Sequence, residues 1–225
     1  MLHHRFYLGL ALLALSCVIL PYQAQSQFTL QDSMQLHYPL DGNALDESGN
    51  GFDGTIWKAV PTTDRYGNDS SAYDFDGAGD WIDLDETFDY QERTVTGWAY
   101  TRDTTDDQFI LNQDAASLTY GAFAYRYDEG DIKANAGGEG AVVISPFDTL
   151  PRWTHVAMIR NATTSFYYLD GELFYTGTPS GNGSFSFPNV NFVIGVDRTE
   201  MNRFFNGKVD DVRILRSSQI LLDTI

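Results

Sequence analysis

The chain has 225 residues, enough for one sizeable core, with 14 basic against 31 acidic side chains and a formal charge of −17. A surface that acidic repels nucleic acid and anionic membranes, and it attracts divalent cations. There is one cysteine, Cys17, so no intrachain disulfide can form and the fold must be held by packing or by bound metal.

His3, His4 and Arg5 make a short basic start, followed by an apolar run from Phe6 to Leu20 that Pro21 breaks. Ala24–Gln25–Ser26 puts small residues where a signal peptidase reads, so residues 1–26 read as a secretory signal peptide. The apolar run is shorter than the roughly 20 residues of a spanning helix, and no second run follows. Ala14–Leu15–Ser16–Cys17 offers an alternative, a lipid anchor at Cys17. Its residue order fits a lipobox poorly, and apolar Val18–Ile19–Leu20 stands where a polar tether belongs. The expectation is a secreted protein: extracellular, periplasmic or on the cell surface. Removing Arg5 leaves 13 of the 14 basic residues against 31 acidic ones, a mature charge of −18.

After a lead-in at residues 27–33, short alternating runs punctuated by Gly, Asn and Asp fill residues 34–225. The expected strands are Met34–Leu40, Gly54–Val60, Ala72–Phe75, Trp81–Leu84, Thr94–Thr101, Phe109–Asn112 and Leu118–Tyr127. They continue with Ala141–Ser145, Trp153–Arg160, Ser165–Leu169, Glu172–Gly177, Asn191–Val196 and Lys208–Leu215. No apolar stripe at 3.6-residue spacing lasts three turns, and no linker or repeat divides the chain. The fold class is therefore all-β, a two-sheet antiparallel sandwich in one domain. Asp170–Gly171 joins two strands by a type I′ hairpin turn, because that dipeptide tolerates positive φ. Trp98 and Trp153 read as core packing on central strands.

In the last strand, period two places Asp210 on the same face as apolar Val212 and Ile214. A carboxylate turned to a core must be paired, hydrogen-bonded or metal-bound. With bases scarce, a hard cation is the expected partner; backbone donors or Arg213 are the alternative.

A set of motifs stands in order: Tyr38–Gly51 (YPLDGNALDESGNG), Asp53–Thr55, Ala72–Gly77 (AYDFDG), Asp80–Ile82, Thr94–Trp98 (TVTGW), Trp153–Ala157 (WTHVA), Tyr168–Gly171 (YLDG), Ile194–Gly195 and Phe205–Ile214 (FNGKVDDVRI). Together they resemble the laminin G-like, concanavalin A-like jelly-roll family, related to pentraxins and lectins. The resemblance spans residues 34 to about 222. It implies two curved antiparallel sheets with the first and last strands adjacent, ligand binding, and one structural calcium ion. Leu215 replaces the usual aromatic after Val–Arg–Ile, and the tail after Ser217 is short.

If the end strands adjoin, Asp210 lies beside the loop Leu45–Gly51. The expected Ca2+ ligands are then Asp46 and Asp210 through carboxylates, with Asn50 and Gly77 through carbonyl oxygens. Catalysis is not expected. Beyond the signal only His37 and His155 remain, without a nucleophile–base pattern, a zinc motif or the Glu-x-Asp-x-x-Glu spacing of glycoside hydrolases on this fold. Sugar binding is the leading expectation, since rings stack on aromatics while hydroxyls bond to Asp, Asn and Arg. Tyr125, Arg126, Tyr127 and Arg203 are the candidate contacts for a carbohydrate or glycoconjugate. The alternatives are an adhesion protein with a protein partner, or self-association, and third a polysaccharide hydrolase or lyase. The sequons at Asn68, Asn161 and Asn182 would carry glycans only in a eukaryotic secretory host.

Overall fold

Strand runs rich in Val, Ile, Tyr, Phe and Thr, cut by Gly and Asp, fold as the period-two pattern dictates. The computed structural model describes residues 30–88, 92–102, 107–113, 123–128, 131–136, 142–146, 151–178, 191–197 and 201–216. In chain order the strands are β1 (Met34–Tyr38), β2 (Thr55–Trp57), β3 (Val60–Thr62), β4 (Ala72–Asp76), β5 (Trp81–Asp83), β6 (Arg93–Thr101), β7 (Gln108–Gln113) and β8 (Phe123–Asp128). They continue as β9 (Asp131–Ala136), β10 (Val142–Pro146), β11 (Trp153–Arg160), β12 (Ser165–Leu169), β13 (Glu172–Gly177), β14 (Val193–Ile194) and β15 (Asn206–Leu215). One helical turn, α1 (Leu30–Ser33), precedes them. Residues 1–26, expected to be a signal peptide, lie outside the described residues.

Every described pairing is antiparallel. The first sheet runs β13-β12-β11-β6-β15-β4-β3, with β1 also on β15; the second runs β10-β9-β8-β7-β14-β5-β2. The architecture is the expected jelly-roll sandwich, with β1 and β15 adjacent. Inward residues of both sheets, among them Leu36, Phe75, Ile82, Val95, Leu111, Val156, Ile194, Val209 and Val212, form one core. Fully burying such a side chain contributes about 1.5–3 kcal/mol. The hairpin turn forms as its residues demand, with Asp170 at φ 48° and Gly171 at φ 80°.

Four expectations need correction. The run Gly54–Val60 is two strands rather than one. Lys58 takes φ 60°, and the chain turns there from β2 in the second sheet to β3 in the first. The short strands β3 and β9 add to the expected set: β3 carries Pro61, tolerated because it is an edge strand, and β9 is mostly small or polar. Trp98 and Trp153 are not core residues. Val95, Ala99, Val156 and Met158 take the inner face, so the alternating partners Trp98 and Trp153 stand half-buried on the outer face.

Asp210 does not share a face with Val212 either. Asp211 has φ 51°, and the register against β6 slips between Asp210 and Arg213. This bulge adds one residue, so Val209 and Val212 both point inward although three apart. Asp210 is thereby turned to the outer face, opposite Trp98.

Candidate functional site

The bulge lies where β15 changes neighbour. On one side β15 pairs with β6 along its length; on the other it pairs with β4 over Asn206–Val209 and with β1 over Val212–Leu215. Asp210 and Asp211 face the gap between those two neighbours, and the loop joining β3 to β4 fills part of it. The space left is an open cleft of about 410 Å³. Its walls include His37 and Pro39 from β1 and the residue just past it, Asp64, Arg65, Tyr66 and Asn68 from the loop, and Asp210, Asp211 and Arg213 from the bulge.

The loop is shaped by Asp64, whose Oδ1 accepts from the amides of Tyr66 and Asn68 at 2.8 Å each, while Asn68 Nδ2 donates to Oδ2 at 2.9 Å. That Asx turn delivers Arg65 into the gap and leaves Tyr66 at the rim, 74% exposed. The Arg65 guanidinium lies 4.8 Å from the centroid of Trp98 and 4.6 Å from that of Tyr66. Arg65 Nη1 is ion-paired with Asp210, and Nη2 reaches Asp211 at 3.5 Å. Asp211 also meets His37 Nε2 at 3.1 Å and Arg213 Nη2 at 2.9 Å. The floor is thus a guanidinium laid on indole and tied to two carboxylates.

The neighbouring carboxyls are driven apart. Burial pushes Asp210 up to about 7, with the charge of Asp211 adding to it and Arg65 pulling against it. Asp211 is half-buried, and the hydrogen bond from His37 and the charges of Arg213 and Arg65 outweigh its desolvation and hold it below the usual carboxylate range. His155, on β11 beside Trp98 with ring centroids 5.1 Å apart, is 2% exposed. Burial pushes its imidazole down to about 4, so it is neutral at pH 7.

Three of the expected calcium ligands, Asp46, Asn50 and Asp210, are engaged by other protein groups. Asp46 Oδ1 accepts from the amides of His37 and Ser48, and its Oδ2 from Ser48 Oγ and the amides of Gly51 and Phe52. Both oxygens are committed to closing the loop against β1. Asn50 Nδ2 serves the same loop, donating to the carbonyls of Met34 and Gln35. Gly77 lies in the β4–β5 turn at φ 79°, where a Cβ would come 3.1 Å from Asn206. Its identity follows from backbone conformation. Asp210 has a base for a partner after all, Arg65 and not Arg213. Among the described residues no group of three or more His, Cys, Asp or Glu side chains is placed to hold a metal.

Of the expected sugar contacts, Arg203 is spent on structure. It pairs with Asp107 at 3.1 Å and Asp197 at 2.7 Å, and its guanidinium lies 5.3 Å from the Phe109 centroid. Tyr125, Arg126 and Tyr127 fall on β8, where the backbone pairs with β7 and β9; their side chains lie outside what is described. The sequence pattern does not single out Arg65, Tyr66, Trp98 and Asp211 as site residues. The available signal was the Asp64–Arg–Tyr–Gly–Asn68 turn between strands, one basic and one aromatic residue held by an Asx motif.

The family model described as the concanavalin A-like lectin/glucanases superfamily matches residues 76–218, more than half of the chain. The chain belongs to that superfamily. No curated protein sequence matches it. Among solved structures it is similar to domain 4 of AbnA, a GH43 extracellular arabinanase from Geobacillus stearothermophilus, solved with arabinotriose. The TM-score is 0.67 at 20% identity, over 84% of this chain and 94% of that one. It is also similar to the botulinum neurotoxin serotype D binding domain, with TM-score 0.64 and 16% identity over 85% of this chain and 50% of that one. The binding domain of Paraclostridial Mosquitocidal Protein 1 gives TM-score 0.66 at 14% identity, over 85% and 51%. This superfamily member therefore spans nearly all of the arabinanase domain and about half of the toxin domains. At these identities the likeness establishes the fold.

Proposed function

We propose that this protein is a secreted, non-catalytic recognition module that binds carbohydrate, as a polysaccharide or glycoconjugate, in the cleft at the β15 bulge. The observation that carries this is the Arg65–Trp98 floor with Tyr66 exposed beside it. A sugar needs an aromatic face for its C–H groups and planar hydrogen-bonding groups for its hydroxyls; exposed Tyr66 offers the first, and Arg65, held on Trp98, the second. Pre-organisation favours binding as well, because the Asx turn and the ion pairs fix the floor before a ligand arrives. The similar arabinanase domain was solved with arabinotriose, and a similar botulinum neurotoxin type C is described as entering cells by interaction with two ganglioside molecules.

A glycosidase would need two carboxylates flanking a scissile bond, one holding a proton and both facing substrate. Here Asp210 and Asp211 are consecutive on one strand and share Arg65. Their roles are structural in this arrangement, which supports binding without hydrolysis.

The test is affinity electrophoresis of the secreted chain through gels containing neutral polysaccharides, with Tyr66→Ala as the cleft variant. Retardation of the wild type that Tyr66→Ala relieves would support the cleft. Uniform lack of retardation, together with silence on a glycan array, would overturn carbohydrate binding.

A second reading has one observation behind it. β13 is the edge of the first sheet and exposes Leu173, Phe174 and Tyr175, so a protein partner or a second copy could add a strand there. A mass measurement in solution showing a dimer that Phe174→Lys dissociates would favour it.

A further inference from the structure

Away from the cleft, on the outer face of the second sheet, two indoles lie one upon the other. Trp57 on β2 is directly opposite Trp81 on β5, with ring centroids 5.4 Å apart and planes within 2°. Period two explains the placement: Ile56 and Ile82, the next pair along the ladder, point to the core, so Trp57 and Trp81 point out. β2 is the last strand of its sheet. Trp81 covers one face of Trp57, no further strand among the described residues covers the other, and Trp57 is 49% exposed.

We propose that Trp57, propped by Trp81, is a second carbohydrate-binding surface, taking one ring of a neutral glycan on its open face. This rests on the carbohydrate reading of the protein but not on the cleft. Hydrogen-bonding groups lie one pleat along the same face. Thr55 stands opposite Asp83, and Asn191 Nδ2 bridges Asp83 at 3.4 Å and Asp85 at 3.1 Å. Both acids accept these bonds through Oδ1, and no described hydrogen bond engages either Oδ2, so those oxygens are free to accept from sugar hydroxyls.

Other occupants fit less well. A protein interface of standard size covers about 800 Å² per partner, whereas an indole offers about 150–250 Å². Single-stranded nucleic acid also stacks on indoles, but a chain of formal charge −17 repels phosphate. A neutral ring with polar substituents matches both the small aromatic area and the flanking carboxylates.

The experiment is affinity electrophoresis of the full chain on arabinan, xylan and mixed-linkage β-glucan, comparing wild type, Trp57→Ala, Trp57→Phe and Tyr66→Ala. Melting of each variant establishes that it is folded. On a polysaccharide that retards the wild type, Trp57→Ala should weaken binding about tenfold and Trp57→Phe by less, as expected for loss or shrinkage of one stacking surface. If Trp57→Ala fails to fold, Trp57→Phe decides, since it keeps a ring but contracts its face. Weakening by the Trp57 variants with none from Tyr66→Ala would uphold the platform and remove the cleft. Unchanged retardation of folded Trp57 variants, with Tyr66→Ala alone weakened, would overturn the platform and leave the cleft standing. No retardation of the wild type on any of the three would overturn the platform as well.

Discussion

Arg65 and Asp210 are ion-paired across 145 residues of chain, at the point where β15 passes from β4 to β1. The pair ties the β3–β4 loop to the closing strand over a carboxylate that is 3% exposed. Removing one partner of a buried pair leaves the other charge uncompensated, which costs more than the pair contributes. Arg65→Ala should therefore cost about 3 kcal/mol of unfolding free energy. The double variant Arg65→Met with Asp210→Leu should recover most of that loss. Denaturant titrations check both, and equal losses in single and double variants would show that the pair is not the cause.

Asp210 and His155 oppose one another in pH dependence. The Asp210 carboxyl is pushed up from 3.8 to about 7, so between these values the folded chain binds a proton that the unfolded chain has lost. Its contribution makes stability fall as pH rises through that window. The imidazole of His155 is pushed down from 6.5 to about 4, so there the unfolded chain binds the extra proton. Its contribution makes stability rise with pH over the same range. Because the two contributions offset one another in the wild type, Asp210→Asn should make stability rise with pH between about pH 4 and 6.5, and His155→Gln should make it fall over the same range. Melting temperature against pH for the three proteins checks the signs. Parallel profiles would show that neither group titrates as its burial implies.

Asp46 closes the loop that lies along β1, with five donors converging on one carboxylate. Burial would raise its carboxyl, but those hydrogen bonds outweigh burial and lower it, so its stabilising share is lost only as pH falls below the usual carboxylate range. Asp46→Ala should cost about 2–3 kcal/mol by stranding several donors. Because the oxygens are already satisfied, a chelator should leave the wild-type melting temperature unchanged. A drop on EDTA that calcium restores would show that Asp46 and Asp210 exchange these donors for an ion.

The alternation that defines the sheets is legible residue by residue because one face of each strand is buried and the other is not. The hairpin at Asp170–Gly171 is legible for a similar reason, since few dipeptides accept that backbone. What escapes is every feature set by a single unusual φ. Asp211 at φ 51° shifts the parity of β15, and Lys58 at φ 60° splits one run into two strands. Neither residue type announces a left-handed conformation, so periodicity alone puts Asp210 inside and assigns it a cation. Arg65 is illegible as its partner because nothing local links positions so far apart in the chain.

Gly207 and Gly67 separate two reasons for a glycine. Gly67 has φ 89°, and nothing lies within 4 Å of where a Cβ would stand, so only backbone conformation opposes a side chain there. Gly67→Ala should cost about 1 kcal/mol. Gly207 sits in β15 between β4 and β6, where a Cβ would fall 2.3 Å from the Tyr100 carbonyl oxygen and 2.5 Å from the Phe205 ring. The carbonyl belongs to a central strand and cannot yield without opening the β6–β15 ladder. Gly207→Ala should therefore cost about 3 kcal/mol, near the upper end for overpacking. It should also weaken ligand retention less than stability, because the cleft lies beyond the bulge at Asp211. Chemical denaturation ranks the two glycines, and a smaller loss at Gly207 than at Gly67 would mean that β15 is free to shift against β6.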